Sequence, residues 1–217
     1  AATQYEYAVA LRPDGMKYVT NLGSAYMLQG KFTSAATYFQ RAIDIRPTKA
    51  AYGNLGLMQF YSGDYDAAIE SQRAAVELQP NDCLARANLG DTLWAAGRLQ
   101  EARQAFREAE RMAARAVQVN PNDPLTIMDM AWIKAGLQEH DEARRLIDRA
   151  MELMPDDPYV HYYDGIIHNR VGSTSQAFVS LQTAVQRGFS KAMLAGDPNL
   201  ANLRGDSRFS DIANGSE

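Results

Sequence analysis

Alanine recurs along this chain at fixed intervals: Ala8, Ala42, Ala75, Ala109, Ala150 and Ala184 are separated by 34, 33, 34, 41 and 34 residues. A second series, Ala1, Ala35, Ala68, Ala102, Ala143 and Ala177, keeps the same intervals seven residues upstream, and Pro13, Pro47, Pro80, Pro121 and Pro155 punctuate it. One structural unit is therefore repeated along nearly the whole chain. A unit of this length cannot bury its own apolar face and must stack on its neighbours, so the 217 residues count repeats rather than globular domains.

Within one unit the periodicity is helical twice over. Val19, Leu22, Gly23 and Tyr26 fall at i, i+3, i+4 and i+7 of a helix read from Met16 to Gln29, and Ala35, Phe39 and Ala42 follow the same rule from Phe32 to Ile45, with Gly30 between. The two stripes face each other. Gly23 and Ala35 are small because the helices approach closely there, and Phe39 supplies bulk beside them.

The pattern Leu22-Gly23-x-x-Tyr26, then Ala35, Phe39, Ala42 and Pro47, resembles the tetratricopeptide repeat, a 34-residue helix-turn-helix unit. It returns as Leu55, Gly56, Gly63, Ala68, Ala75 and Pro80, and again as Leu89, Gly90, Gly97, Ala102, Phe106 and Ala109. It then degenerates through Met130, Ala131, Ala143, Ile147, Ala150 and Pro155 to Gly165, Gly172, Ala177, Leu181 and Ala184. The resemblance implies an all-α, right-handed superhelix of five repeats, 16–48, 49–82, 83–123, 124–157 and 158–187, with a half repeat over 1–15 and a helical C-terminal cap over 188–217. The half repeat is in frame with a second helix whose first helix is missing, which predicts a chain that starts mid-unit and exposes an apolar, self-associating face.

Three local signals refine this plan. The third unit holds seven extra residues, and Ala113, Ala116 and Val117 continue its stripe, predicting one helix from Leu99 to Val119. Asp123-Pro124 and Asp157-Pro158 read as N-cap and first-turn pairs. Gly188-Phe189 reads as a helix-ending glycine followed by an apolar residue that folds back, after which Met193, Leu194, Leu200, Leu203, Phe209 and Ile212 should cover the last repeat's open face. The tail from Asp197-Pro198 to Arg208-Phe209 resembles the end of tetratricopeptide regions in bacterial multidomain signalling proteins, of serine/threonine kinase or transcriptional-regulator type.

Chemistry is sparse. A net charge of −4 offers no basic surface for nucleic acid or anionic membrane, and Cys83, the only cysteine, rules out an intrachain disulfide or a cysteine-rich zinc site. No apolar run approaches the roughly 18–20 residues that span a bilayer, and no basic-then-apolar leader opens the sequence. The expectation is a chain that inserts in no membrane, cytoplasmic, or periplasmic within a membrane-anchored parent. With no phosphate loop, nucleophile elbow or HExxH motif, neither enzymatic activity nor a cofactor is expected. His161, Asp164 and His168 share a helix face and could ligate a metal, or hydrogen-bond one another at a loosened interface; the second reading is preferred and no metal site is assigned.

Binding is better signalled. In this family the first helix of each unit lines the concave side, which places Met27, Leu57, Phe60, Tyr61, Asp91, Trp94, Met128, Trp132, Tyr159, Tyr162, Asn169 and Arg170 towards a groove. Aromatics and methionines dominate, as suits a peptide with apolar anchors. Asn21, Asn54 and Asn88 hold one position in three successive units and resemble the asparagine ladder that grips ligand backbone in some such superhelices; local hydrogen bonding is the alternative. The expected function is a peptide-binding scaffold without catalysis, or else a self-association module.

Overall fold

The computed structural model describes residues 2–215, so Ala1, the first rung of the second alanine series, lies outside them. Helix α1 (Ala2–Leu11) precedes five helix pairs: α2 (Met16–Leu28) with α3 (Phe32–Ile45), α4 (Lys49–Tyr61) with α5 (Tyr65–Leu78), α6 (Cys83–Ala95) with α7 (Leu99–Val119), α8 (Pro124–Gly136) with α9 (His140–Leu153), and α10 (Pro158–Arg170) with α11 (Thr174–Gln186). The chain continues through short α12 (Lys191–Gly196), a 3-10 turn over Pro198–Leu203 and α13 (Ser207–Asn214). No strand occurs among the described residues.

Local chemistry sets these boundaries. Thr48, Asp64, Asp82, Asp123 and Asp157 each accept a hydrogen bond from an amide of the first helical turn they precede, and Pro124 and Pro158 occupy first-turn positions where no N–H is needed. The turn inside a unit needs a left-handed residue, supplied by Gly30, Gly63, Gly97 and Gly172; unit four makes the same turn with Gln138 at φ 66°.

The stripes meet as the alanine series requires. Ala35, Phe39, Ala42 and Leu22 are wholly buried, and a Cβ on Gly23 would stand 2.9 Å from the Phe39 ring. Helix α7 runs from Leu99 to Val119 as its continued stripe predicts, with Ala113 wholly buried; Lys134 of α8 ties it down by bonding Glu110 at 2.5 Å and Glu139 at 2.6 Å.

The first helices of the units face one another across the inner side closely enough for Arg170 to bond Asp91 at 2.6 Å and for the Tyr61 and Tyr162 hydroxyls to stand 3.4 Å apart. The segment after α11 lies on the last unit and also reaches the first. Helix α13 buries Phe209 and Ile212 and lays Arg208 over the Phe178 ring at 4.2 Å, while Leu194, Leu200 and Leu203 share one core with Leu181 and Ala184 of α11, and Asp197 and Asn202 bond Tyr162 and Asn169 of α10. Residues 189–204 also cross to the first unit. Ser190 Oγ donates to the Leu28 carbonyl at 2.9 Å, Ala192 Cβ lies 3.0 Å from where a Gly30 side chain would begin, and Gly196 sits against the Phe32 ring. This strap closes the array. Gly188 adopts φ 105° and Phe189 N–H bonds the Ala184 carbonyl as a helix-ending glycine requires, and the Phe189 ring stacks on Tyr162 of α10.

Candidate functional site

Beneath the strap the inner side encloses a chamber of about 60 Å³ lined by Leu57, Phe60 and Tyr61 of α4, Gln72 of α5, Asn88, Asp91 and Thr92 of α6, Trp132 of α8, Tyr162 and Tyr163 of α10, and Asp197 and Asn199 of the strap. Arg170 organises it. Its guanidinium donates to Asp91 at 2.6 Å and to Asn199 Oδ1 at 3.0 Å while lying 4.2 Å over the Trp132 ring. Burial pushes the Asp91 carboxyl up to about 6 against the opposing pull of Arg170.

Asp197 is wholly buried, and both its carboxylate oxygens accept. Oδ2 takes the Tyr162 O–H, and Oδ1 takes the Asn199 backbone N–H at 2.8 Å and side-chain amide at 3.1 Å. Burial raises its pKa while these donors lower it, and burial together with the Asp197 charge holds the Tyr61 and Tyr162 phenols well above the usual tyrosine range. Phe189 stacks on Tyr162 at 4.2 Å between ring centres, and Asn169 and Asn202 exchange amide hydrogen bonds at 2.9 and 3.0 Å. One buried group of the chamber, the Gln72 Oε1 acceptor, finds no partner among the described residues, while Trp132 stands beside the Asp91 carboxylate and helps hold its charge.

Of the residues read as groove-lining, Leu57, Phe60, Tyr61, Asn88, Trp132 and Tyr162 come together around this chamber. Trp94, 41% exposed, lies in a neighbouring hollow of about 230 Å³ with Gln138, His140 and Arg170. Tyr159, 51% exposed, meets the edge of Phe189. Met128 packs into the core of unit four, and Met27 is half-buried against the cores at both ends of the strap crossing. The asparagines do not converge: Asn88 lines the chamber, Asn21 a shallow hollow between α1 and α2, and Asn54 is half-buried in neither. Periodicity did not place Phe189, Asp197 and Asn199 at the chamber, because they belong to the non-repeating strap. The available signals were Gly188-Phe189 and Gly196-Asp197-Pro198, turns around an otherwise apolar stretch.

His161, Asp164 and His168 do not assemble as ligands. Asp164 accepts from Ser180 Oγ and stands 3.4 Å from His168 Nε2, whereas His161 turns to the Pro155 carbonyl at 2.9 Å. No metal-ligating group of three is present among the described residues.

Asp129 of α8 is an electrostatic liability. Burial, with Asp82 and Asp123 nearby, pushes its carboxyl up to about 7. The folded value lies above the unfolded value of about 3.9, so the folded state takes up the proton first and stability from this group rises as pH falls from above 7 towards 4. Asp129→Asn should therefore raise stability by about 1–2 kcal/mol at pH 8, and the gain should fall to roughly a third of that at pH 5. Urea denaturation at the two pH values checks this.

Three family models described as tetratricopeptide repeat match residues 16–81, 53–117 and 104–162, together running from 16 to 162. Bacteriophage adsorption protein A of Escherichia coli K12 is 29% identical over 99 residues, covering 46% of this chain and 9% of that protein. Human tetratricopeptide repeat protein 13 is 29% identical over 101 residues, covering 46% of this chain and 12% of its own length. The chain thus spans only about a tenth of these curated relatives. Among solved structures, the TTC0263 protein of Thermus thermophilus superposes with a TM-score of 0.61 at 19% identity, over 91% of this chain and 98% of that one, a likeness of fold. The helix pairs, the alanine packing and these matches agree, and the chain belongs to the tetratricopeptide repeat family.

Proposed function

We propose that this chain is a non-enzymatic interaction module that holds a peptide segment of a partner on its inner face, as part of a larger bacterial regulatory protein. The fold is one that serves protein–protein interaction, and one observation supports the peptide reading above all. The inner face already holds a stretch of polypeptide, residues 189–204, through side chains drawn from units one, two and five. Half-exposed Tyr159 meets the edge of Phe189 in that stretch, half-exposed Trp94 lies in the hollow with Arg170, and both are available to a partner. The larger regulatory parent is supported by the resemblance of residues 197–209 to the ends of such regions in bacterial signalling proteins.

Selection of a random peptide library on the purified chain tests this. Enriched peptides should lose about tenfold or more in affinity when Trp94 and Tyr159 are replaced by alanine, with the thermal midpoint unchanged because neither side chain is core. Peptides that bind both proteins equally would exclude the inner face as the binding surface. Self-association is a second reading, favoured by Tyr7 and Leu11 of α1 at 68% and 65% exposed. Molar mass that falls towards the monomer value on dilution would support it, and constant monomer mass would dismiss it.

A further inference from the structure

Residues 189–204 sit on the inner face as a ligand does, and they leave it incompletely paired. Small residues let the strap lie close: Ala192 on Gly30 and Gly196 on Phe32. Its polar grip concentrates on two side chains, Asp197 held by Tyr162 and Asn199 held by Arg170 at 3.0 Å. Tyr162 of the seat donates to one Asp197 oxygen, while Asn199 of the strap itself donates twice to the other, so the aspartate and the asparagine form one unit that the seat grips through Tyr162 and Arg170; an amide in place of the carboxylate would turn one acceptor into a donor facing donors. Yet Gln72 Oε1, on a side chain 3% exposed, stays unpartnered in the same chamber. A lone buried acceptor is what the N–H of an incoming peptide satisfies. Glycines flank the strap at 188, with φ 105°, and at 205, so the segment can leave without unwinding α11 or α13.

We propose that the seat of residues 189–204 is a binding site for a partner segment carrying aspartate followed two residues later by asparagine, that the strap is its resident occupant, and that such a segment displaces it. This rests on the interaction-module reading. The resident's advantage is its tether, since a short linker to α11 gives an effective concentration on the order of millimolar that a free segment must outcompete.

The probe is a fluorescent synthetic peptide with the sequence of residues 189–204, titrated into the full chain. The unmodified chain should bind it weakly. Gly196→Val, which forces a branched side chain into the Phe32 ring, should release the strap and raise affinity at least about tenfold. The same peptide with Asp197→Asn should bind the opened chain about tenfold more weakly. Hydrogen exchange over residues 191–203 reports release independently, and Leu194→Asp, changing a wholly buried strap residue, opens the seat by a second route. A released strap with no gain in peptide affinity overturns the proposal while leaving library peptides that depend on Trp94 and Tyr159 to uphold the module reading. Global unfolding of both variants by circular dichroism also overturns it, because the strap would then be structural core and not an occupant.

Discussion

Arg170→Ala should cost the folded chain about 3–5 kcal/mol, because it leaves Asp91 as a buried carboxylate with no cation beside it. The loss has three parts: the bond to Asp91, the bond to Asn199 of the strap, and the stacking on Trp132. The first dominates, since desolvation of a carboxylate is expensive and Asp91 already titrates near 6 with its partner present. Removing the guanidinium raises that value further above the unfolded value of about 3.9, so the deficit should be largest at pH 8 and smaller at pH 5, where the native carboxyl is protonated. Arg170→Lys keeps the charge but not the planar fork or the stacking, and should fall between. Adding Asp91→Asn to Arg170→Ala should recover more than half of the loss by removing the stranded charge. Urea denaturation of the three variants at both pH values gives the comparison; a loss below about 1 kcal/mol for Arg170→Ala would show that the pair is screened by solvent.

Phe106→Ala should be comparably severe, about 3–5 kcal/mol. The ring is wholly buried and fills the space between Gly90 of α6 and Gly136 of α8, where an added Cβ would stand 2.9 and 2.5 Å from it. Those two glycines belong to successive units, so the ring is both the core of unit three and its joint to unit four. In a stack held by nearest neighbours, weakening a joint separates the two sides as well as lowering the sum. The expected result is a urea transition that broadens or splits, with exchange protection retained longest on one side of residue 106. A single sharp transition displaced by less than about 1 kcal/mol would contradict this packing.

The repeating part of the molecule was legible because its causes are local. Helix α7 ends at Val119, and α8 and α10 begin at Pro124 and Pro158, where stripe continuity and aspartate–proline caps place them. Gly23 and Gly90 sit against Phe39 and Phe106 for the steric reason their spacing implies. The strap was not legible. Its docking depends on fits between residues far apart in the chain, such as Ser190 on Leu28 and Gly196 on Phe32, which no period encodes. Its arrival also changes what inner-side positions mean: Phe60, Trp132 and Tyr162 lie on the helices expected to line a groove, but the closed array and the strap bury them. The Asp91–Arg170 pair, between units three and five, depends on the same closure. Gln138 shows a smaller limit, a left-handed turn without the glycine that announces it elsewhere.

Closure of the array by residues 189–204 is tested most directly by a cross-link. Ser190 Oγ stands 2.9 Å from the Leu28 carbonyl, which sets Ser190 of the strap beside exposed Leu28 of the first unit. In a Cys83→Ser background, Leu28→Cys with Ser190→Cys should be joined within one chain by a short bis-maleimide, seen as a faster-migrating monomer on a denaturing gel with both thiols consumed. Thiols modified only singly, or links only between chains, would mean that the strap does not reach the first unit.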